Sequence, residues 1–254
     1  MTHKRNIIGV YRHDEEIVVI KSQSPYLWDK GVSDLEFEVK IVPVEWIPCP
    51  VPWLIADTNV RMDSDILAKL RSDMMPVTSV MYESEYGALM ITPKHNSRMA
   101  RLGVLMRKEK GEWHPIIADW EGIPYAVEVK GIGSPVGRFP DYHRRNQAGT
   151  SQTHIRITGG MGIEGAVNEF QALYYLEKKG HKDESGSYQK AYGVTQFLVE
   201  TETEAIDLGQ LIRLTPSSIR HSFYNNPEID AIQSSSIRTV LYSMGLDISN
   251  LLSL

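Results

Sequence analysis

Between residues 80 and 130 the sequence carries four short strand signals in succession: Leu89 to Thr92, Gly103 to Met106, His114 to Ala118 and Tyr125 to Val129. Segments this short and this closely spaced leave no room for the crossover helices that parallel strands need, so they predict antiparallel pairing. The polar stretch Lys108-Glu109-Lys110-Gly111-Glu112 supplies a turn between two of them. Upstream, Leu35, Phe37, Val39 and Ile41 alternate with Glu36, Glu38 and Lys40, the period of a half-buried strand. Glu16 to Ile20 is a further apolar run.

Between these β regions lie Pro43, Pro48, Pro50 and Pro52, with Trp46 and Trp53 among them. Proline lacks the donor a sheet ladder uses, so this stretch reads as an extended connector or boundary. Asp63 to Arg71 predicts a short helix with Ile66, Leu67 and Leu70 on one face. Residues 131–152 hold four glycines, two prolines and the basic cluster His143-Arg144-Arg145, and predict a loop. His154 to Thr158 reads as a strand. Ala166 to Lys179 is the clearest helix, with Val167, Phe170, Leu173 and Tyr174 on one side and Gly180 after it. Val194 to Val199 and Leu211 to Leu214 are strand signals, Thr215-Pro216-Ser217-Ser218 predicts a helix start, and Ile232 to Met244 predicts a last helix. The chain thus reads as α+β, with a β-rich extension over 1–48, a main unit over 49–229 and a C-terminal helical segment over 230–254.

Charge and composition narrow the function. With 27 basic against 32 acidic residues the net charge is −5, which argues against a nucleic-acid partner. No run approaches the roughly 18 apolar residues of a membrane span, and no signal-peptide or lipidation pattern is present. The single cysteine, Cys49, has no partner for an internal disulfide, so a reducing, cytoplasmic location is expected. Cys49 and Trp46, Trp53, Trp113 and Trp120 read as packing residues. The eight histidines show no H-x-x-x-H spacing, so no metal site is expected.

Four constellations carry chemistry. Gly160-Met161-Gly162-Ile163-Glu164-Gly165 matches G-x-G-x-x-G between a strand and a helix, with Glu200 closing the next strand. Its strand alternates polar and apolar residues, unlike a central parallel strand buried on both faces. In Val127-Glu128-Val129-Lys130-Gly131-Ile132-Gly133 a lysine closes a strand and glycines follow, an arrangement that can offer an ammonium and free N–H groups to phosphate. Glu169 borders the apolar stripe of the main helix, either complementing its dipole or reaching a lysine on the sheet. Arg213 and Arg220 flank Thr215-Pro216-Ser217-Ser218, and guanidinium forks suit phosphate oxygens.

The order of these pieces, Lys-Gly-x-Gly, then Asn-Glu-Phe on a helix, then Ile-Arg-Leu-Thr-Pro-Ser-x-x-Arg, resembles the selenoprotein-O-like protein adenylyltransferases. These are pseudokinases that transfer AMP from ATP to hydroxyl side chains. The resemblance covers roughly residues 120–225. It implies a kinase-like small lobe in which Lys130, Gly131 and Gly133 meet the phosphates, Glu169 pairs with Lys130, and Arg138 closes the glycine loop. It further implies that Arg213 and Arg220 grip the nucleotide, that ATP arrives with Mg²⁺, and that a protein is the substrate. Three departures stand beside it. Lys130 and Glu169 are 39 residues apart, more than in the family. Asp207-Leu208-Gly209, an Asp-x-Gly, precedes Arg213 and reads as a turn. No catalytic-loop motif follows, so no catalytic residue is identifiable. If active, the chain is expected to be a nucleotidyltransferase that needs a second lobe or a partner chain supplying it. The alternatives are an interaction module that has lost the nucleotide, and a dinucleotide-binding enzyme using Gly160, Gly162 and Gly165.

Overall fold

The computed structural model describes residues 7–13, 15–21, 37–49, 51–55, 60–79, 83–93, 102–136, 142–146, 153–157, 159–178, 190–200, 205–216 and 218. Along them run β1 (Ile7–His13), β2 (Glu16–Lys21), β3 (Phe37–Pro48), β4 (Val51–Ile55), β5 (Val60–Met62), α1 (Ser64–Arg71), β6 (Met74–Thr78), β7 (Tyr86–Pro93) and β8 (Leu102–Glu109). Then come β9 (Glu112–Pro115), β10 (Ile117–Trp120), β11 (Ile123–Lys130), β12 (Tyr142–Asn146), β13 (Thr153–Ile157), α2 (Ile163–Lys178), β14 (Lys190–Glu200) and β15 (Ala205–Thr215). The architecture is mixed α and β, dominated by one sheet in the order β4-β14-β15-β11-β8-β7-β3-β6, with β9, β10 and β5 attached at its side. Every described strand pair is antiparallel, as the short strand spacing predicts.

Two tight turns set the register of the middle strands. Glu109 pairs with Glu112 and Trp120 with Ile123, leaving the two-residue loops Lys110-Gly111 and Glu121-Gly122. All four residues have positive φ, the conformation whose twist matches a two-residue hairpin and which favours glycine at its second position.

Strand alternation divides the sheet into two faces. On one, Ala88, Met90, Leu105, Tyr125, Val127, Val129, Ile212 and Leu214 pack with Ile66 and Leu70 of α1. Asp63 caps α1, its carboxylate accepting from the N–H groups of Asp65 and Ile66, and Arg107 grips Asp63 and Asp65. The opposite face is covered in two places. Val10 from β1 sits on Leu89, Val104, Met106 and Ala126, while α2 seats Ala166 on Met161, Val194 and Leu211.

Several expectations are corrected. The proline stretch is strand, not connector. β3 pairs with β7 over Phe37–Pro43 and with β6 over Val44–Pro48, so Pro43 falls where the strand changes partner and Pro48 at its last position. Pro52 lies in β4, an edge strand, between Val51, which pairs with Gln196, and Leu54, which pairs with Val194. Residue 48 is the last of β3, and β3 and β4 belong to the same sheet. The loop expected over 131–152 contains β12, paired with β13 in a separate two-stranded ribbon. Asp207-Leu208-Gly209 lies within β15 rather than in a turn, and Gly209 lets α2 pack closely, since Ala166 Cβ and Ile163 Cα come within about 3 Å of where a Cβ would stand. At Thr215 β15 ends, Arg12 donates its N–H to the Pro216 carbonyl, and Ser218 and Val10 exchange hydrogen bonds, while the residues that a helix starting here would occupy lie outside the described residues. Tyr174 is exposed rather than on the packed side of α2. Arg138, Arg220 and the helix expected over 232–244 lie outside the described residues. Among the described residues, no helix is long and apolar enough to cross a membrane.

Candidate functional site

The face beneath α2 carries an unusual set of charges. Because Val127 and Val129 point into the core, Glu128 and Lys130 stand on the opposite face of β11. By the same alternation Leu211 and Arg213 of β15 share that face, between Ile212 and Leu214 in the core. The register places Glu128 directly across from Arg213 and Lys130 across from Leu211. Over them lies α2, whose sheet-facing residues include Ala166 and Phe170, so Glu169, three positions after Ala166, is brought down to the strands.

The result is a four-residue chain of charges. Lys130 Nζ donates to Glu169 Oε2. Arg213 Nη1 donates to Glu169 Oε1 at 2.7 Å, and Arg213 Nε donates to Glu128 Oε2 at 2.5 Å. Two cations face two carboxylates. The inner pair is sealed, with side-chain exposures of 4% for Arg213 and 1% for Glu128, whereas Lys130 and Glu169 at 18% and 23% reach the surface. Arg213 Nη2 is buried and has no hydrogen-bond partner among the described residues. A guanidinium that spends two donors on carboxylates and leaves a third unpaired is poised to accept an oxyanion, at the cost of a buried unsatisfied group.

Burial raises the pKa of the Glu128 carboxyl above its ordinary value. The attraction and hydrogen bond of Arg213 pull it back, Glu169 pushes it further up, and Lys130 lowers it. A raised carboxyl binds its proton more tightly in the folded chain than in the unfolded one. Its contribution to stability is therefore complete below the unfolded pKa and is lost as pH rises through the folded pKa. Denaturant unfolding of wild type and Glu128→Gln across mildly acidic to neutral pH checks this. The wild type is expected to lose stability relative to the variant as pH rises, and a pH-independent difference would contradict the raised carboxyl.

The glycine motifs are placed differently from the residues that meet charge. Gly131 and Gly133 have positive φ and are buried against the chain itself. A Cβ on Gly131 would lie 2.6 Å from the Gly209 carbonyl oxygen, and one on Gly133 2.0 Å from Thr78 Oγ1. Gly133 N–H donates to the Gly159 carbonyl, and Gly209 N–H to that of Met161. Gly162 carries the first carbonyl of α2, accepting from Ala166 N–H. The strand before the G-x-G-x-x-G, β13, pairs with β12 alone among the described residues, and β14 runs antiparallel to both neighbours. The βαβ frame that gives those glycines a dinucleotide role is therefore not what surrounds them.

The structure brings together Lys130, Glu169 and Arg213 of the expected residues, with Gly131 and Gly133 adjoining as packing glycines. Glu128 was not among the expected residues. The alternation of Tyr125, Val127 and Val129 places it on the Lys130 face, but its partner depends on the register of a strand over 80 residues away. Also unforeseen is Lys190, which pairs with Glu177 Oε2 at 2.8 Å and lies 3.8 Å over the Trp120 ring, tying the end of α2 to the start of β14. Cys49 is buried beside Thr195 and the Gln196 carbonyl, in keeping with a packing role. Among the described residues no group of three His, Cys, Asp or Glu side chains is arranged to hold a metal ion. Comparison with protein-family models, with curated proteins and with solved structures gives no match.

Proposed function

We propose that the chain binds the phosphates of a nucleotide, ATP by its resemblance to the selenoprotein-O-like adenylyltransferases, in a kinase-like small lobe. The observation that carries this reading is the ion pair between Lys130, at the end of a sheet strand, and Glu169, on the helix packed over it. In kinase-type nucleotide sites such a pair holds the lysine for the phosphates. The adjoining Arg213 adds a second cation and a donor that has no partner among the described residues. These groups fit phosphate oxygens. They do not fit Mg²⁺: both carboxylates are already held by cations, so the metal would arrive with its nucleotide. Transfer of AMP to a protein would require groups from a second lobe or a partner chain.

The test is a thermal-shift titration. Mg-ATP is expected to raise the melting temperature of the wild type, by about 2.7 kcal/mol of stability at one hundred times the dissociation constant. Lys130→Ala is expected to abolish most of that shift while leaving the unliganded melting temperature within a few degrees, since the lysine is partly exposed. An equal shift in Lys130→Ala would overturn the reading.

A second reading has its own observation. Tyr174, Tyr175 and Leu176 are exposed on the outer side of α2, in keeping with an interaction module that has kept the fold and lost the ligand. An absence of stabilisation by any nucleotide would favour it.

A further inference from the structure

We propose that Glu128 is a positioning residue that aims Arg213 at an incoming phosphate and sets the charge of the site; this rests on the nucleotide reading above and names its second anion contact. Three observations carry it. Glu128 and Arg213 are cross-strand partners on β11 and β15, joined at 2.5 Å, with both side chains at least 96% buried. This contact uses Nε, the Glu169 contact uses Nη1, and Nη2 has no partner among the described residues. The Glu169 carboxylate is shared between Arg213 and Lys130 and lies nearest the surface.

The arrangement fixes how an oxyanion enters. With both carboxylates ionised these four described side chains sum to zero charge. A phosphate oxygen that takes the place of Glu169 on Arg213 gains Nη1 and Nη2 together, the paired geometry guanidinium offers to phosphate. Glu169 then keeps Lys130, and Glu128 holds the guanidinium from the buried side so that it does not swing away with the ligand. Glu128 thus has two effects of opposite sign. Its hydrogen bond orients Arg213, which favours the ligand. Its charge offsets that of Arg213, which opposes it.

Two substitutions separate these effects. Glu128→Gln keeps an acceptor for Arg213 Nε and removes the charge. Glu128→Asp keeps the charge and withdraws the acceptor by one methylene. Binding of inorganic tripolyphosphate and of Mg-ATP is measured by calorimetry on the full chain, with melting curves confirming that each variant is folded. Glu128→Gln is expected to bind tripolyphosphate about tenfold more tightly than wild type, from removal of one nearby negative charge. Glu128→Asp is expected to bind several-fold more weakly. A merely structural Glu128 would lower both melting temperatures and leave both affinities unchanged, and that result would overturn the proposal. If Glu128→Gln does not fold, Glu128→Asp decides alone, unchanged affinity counting against. Wild type that binds Mg-ATP through Lys130, with neither variant altered, sinks this inference and leaves the nucleotide reading intact. Tripolyphosphate binding that responds to Glu128 as described, without Mg-ATP binding, sinks the nucleotide reading and leaves Glu128 as the positioner of an anion site. No binding of either ligand by wild type or Glu128→Gln removes both.

Discussion

Arg213→Met is expected to lower the melting temperature by about 10 °C and to remove most of the stabilisation by Mg-ATP. The guanidinium touches both carboxylates of the cluster, and its loss leaves Glu128 inside the sheet–helix interface without that counterion. Removing one partner of a buried pair typically costs about 3–5 kcal/mol, because the remaining charge stays desolvated. For chains of this size that corresponds to roughly 2–4 °C per kcal/mol. The loss is expected to be smaller at acid pH. Without Arg213 the Glu128 carboxyl moves still further up, and once protonated it needs no counterion.

The companion measurement is the double variant Glu128→Leu with Arg213→Met. Buried pairs replaced by apolar side chains of similar volume are often neutral or stabilising. The double variant is therefore expected to recover most of the wild-type melting temperature while binding Mg-ATP no better than Arg213→Met. Recovery of stability without recovery of binding separates the two roles of the pair. If Arg213→Met alone melts within 2 °C of wild type, the pair contributes little net stability and the prediction fails.

What the sequence discloses of this site follows from which contacts are local. Lys130 is visible because a strand signal and its closing glycines fall within seven residues, Val127 to Gly133. Glu169 is visible only as a residue beside an apolar stripe. Whether it turns inward depends on how α2 rolls on β14 and β15, and Gly209, read as part of a turn, is the position that lets it sit close. Arg213 is visible as a candidate cation, but its pairing with Glu128 is a matter of register between distant strands. The antiparallel fold was legible because period-two alternation and short spacing are properties of single segments. The proline-bearing strands were not. Pro76 in Met74-Met75-Pro76-Val77-Thr78 argues against a strand, yet β6 ends the path of the sheet, where a proline is tolerated. The motif order thus anticipates the meeting of Lys130, Glu169 and Arg213, while what surrounds them is set by long-range pairing.

Gly159→Ala is expected to destabilise the chain by about 3 kcal/mol or more, whereas Gly162→Ala is expected to change stability by less than about 0.5 kcal/mol. Gly159 stands one residue before the G-x-G-x-x-G and is not part of it. Its φ is +83°, and a Cβ there would lie 2.4 Å from the Gly133 carbonyl carbon, 2.6 Å from its oxygen and 2.7 Å from Ser134 N. All three are backbone atoms, so relief requires the loop after Lys130 to move as a whole. That loop is held by Gly133 N–H on the Gly159 carbonyl and by Thr78 N–H on the Ile132 carbonyl, so the strain passes to the end of β11 and to Lys130. At Gly162, by contrast, a Cβ meets nothing within 4 Å. Urea unfolding measures both costs, and a titration with NAD(P) and with Mg-ATP reads their consequences. In a dinucleotide fingerprint the second glycine is where the pyrophosphate approaches the backbone. A nucleotide response that disappears in Gly162→Ala while the fold stays intact would return the motif to that role. A response to Mg-ATP that survives Gly162→Ala and weakens in Gly159→Ala makes the glycines here a means of packing two loops together beneath the lysine.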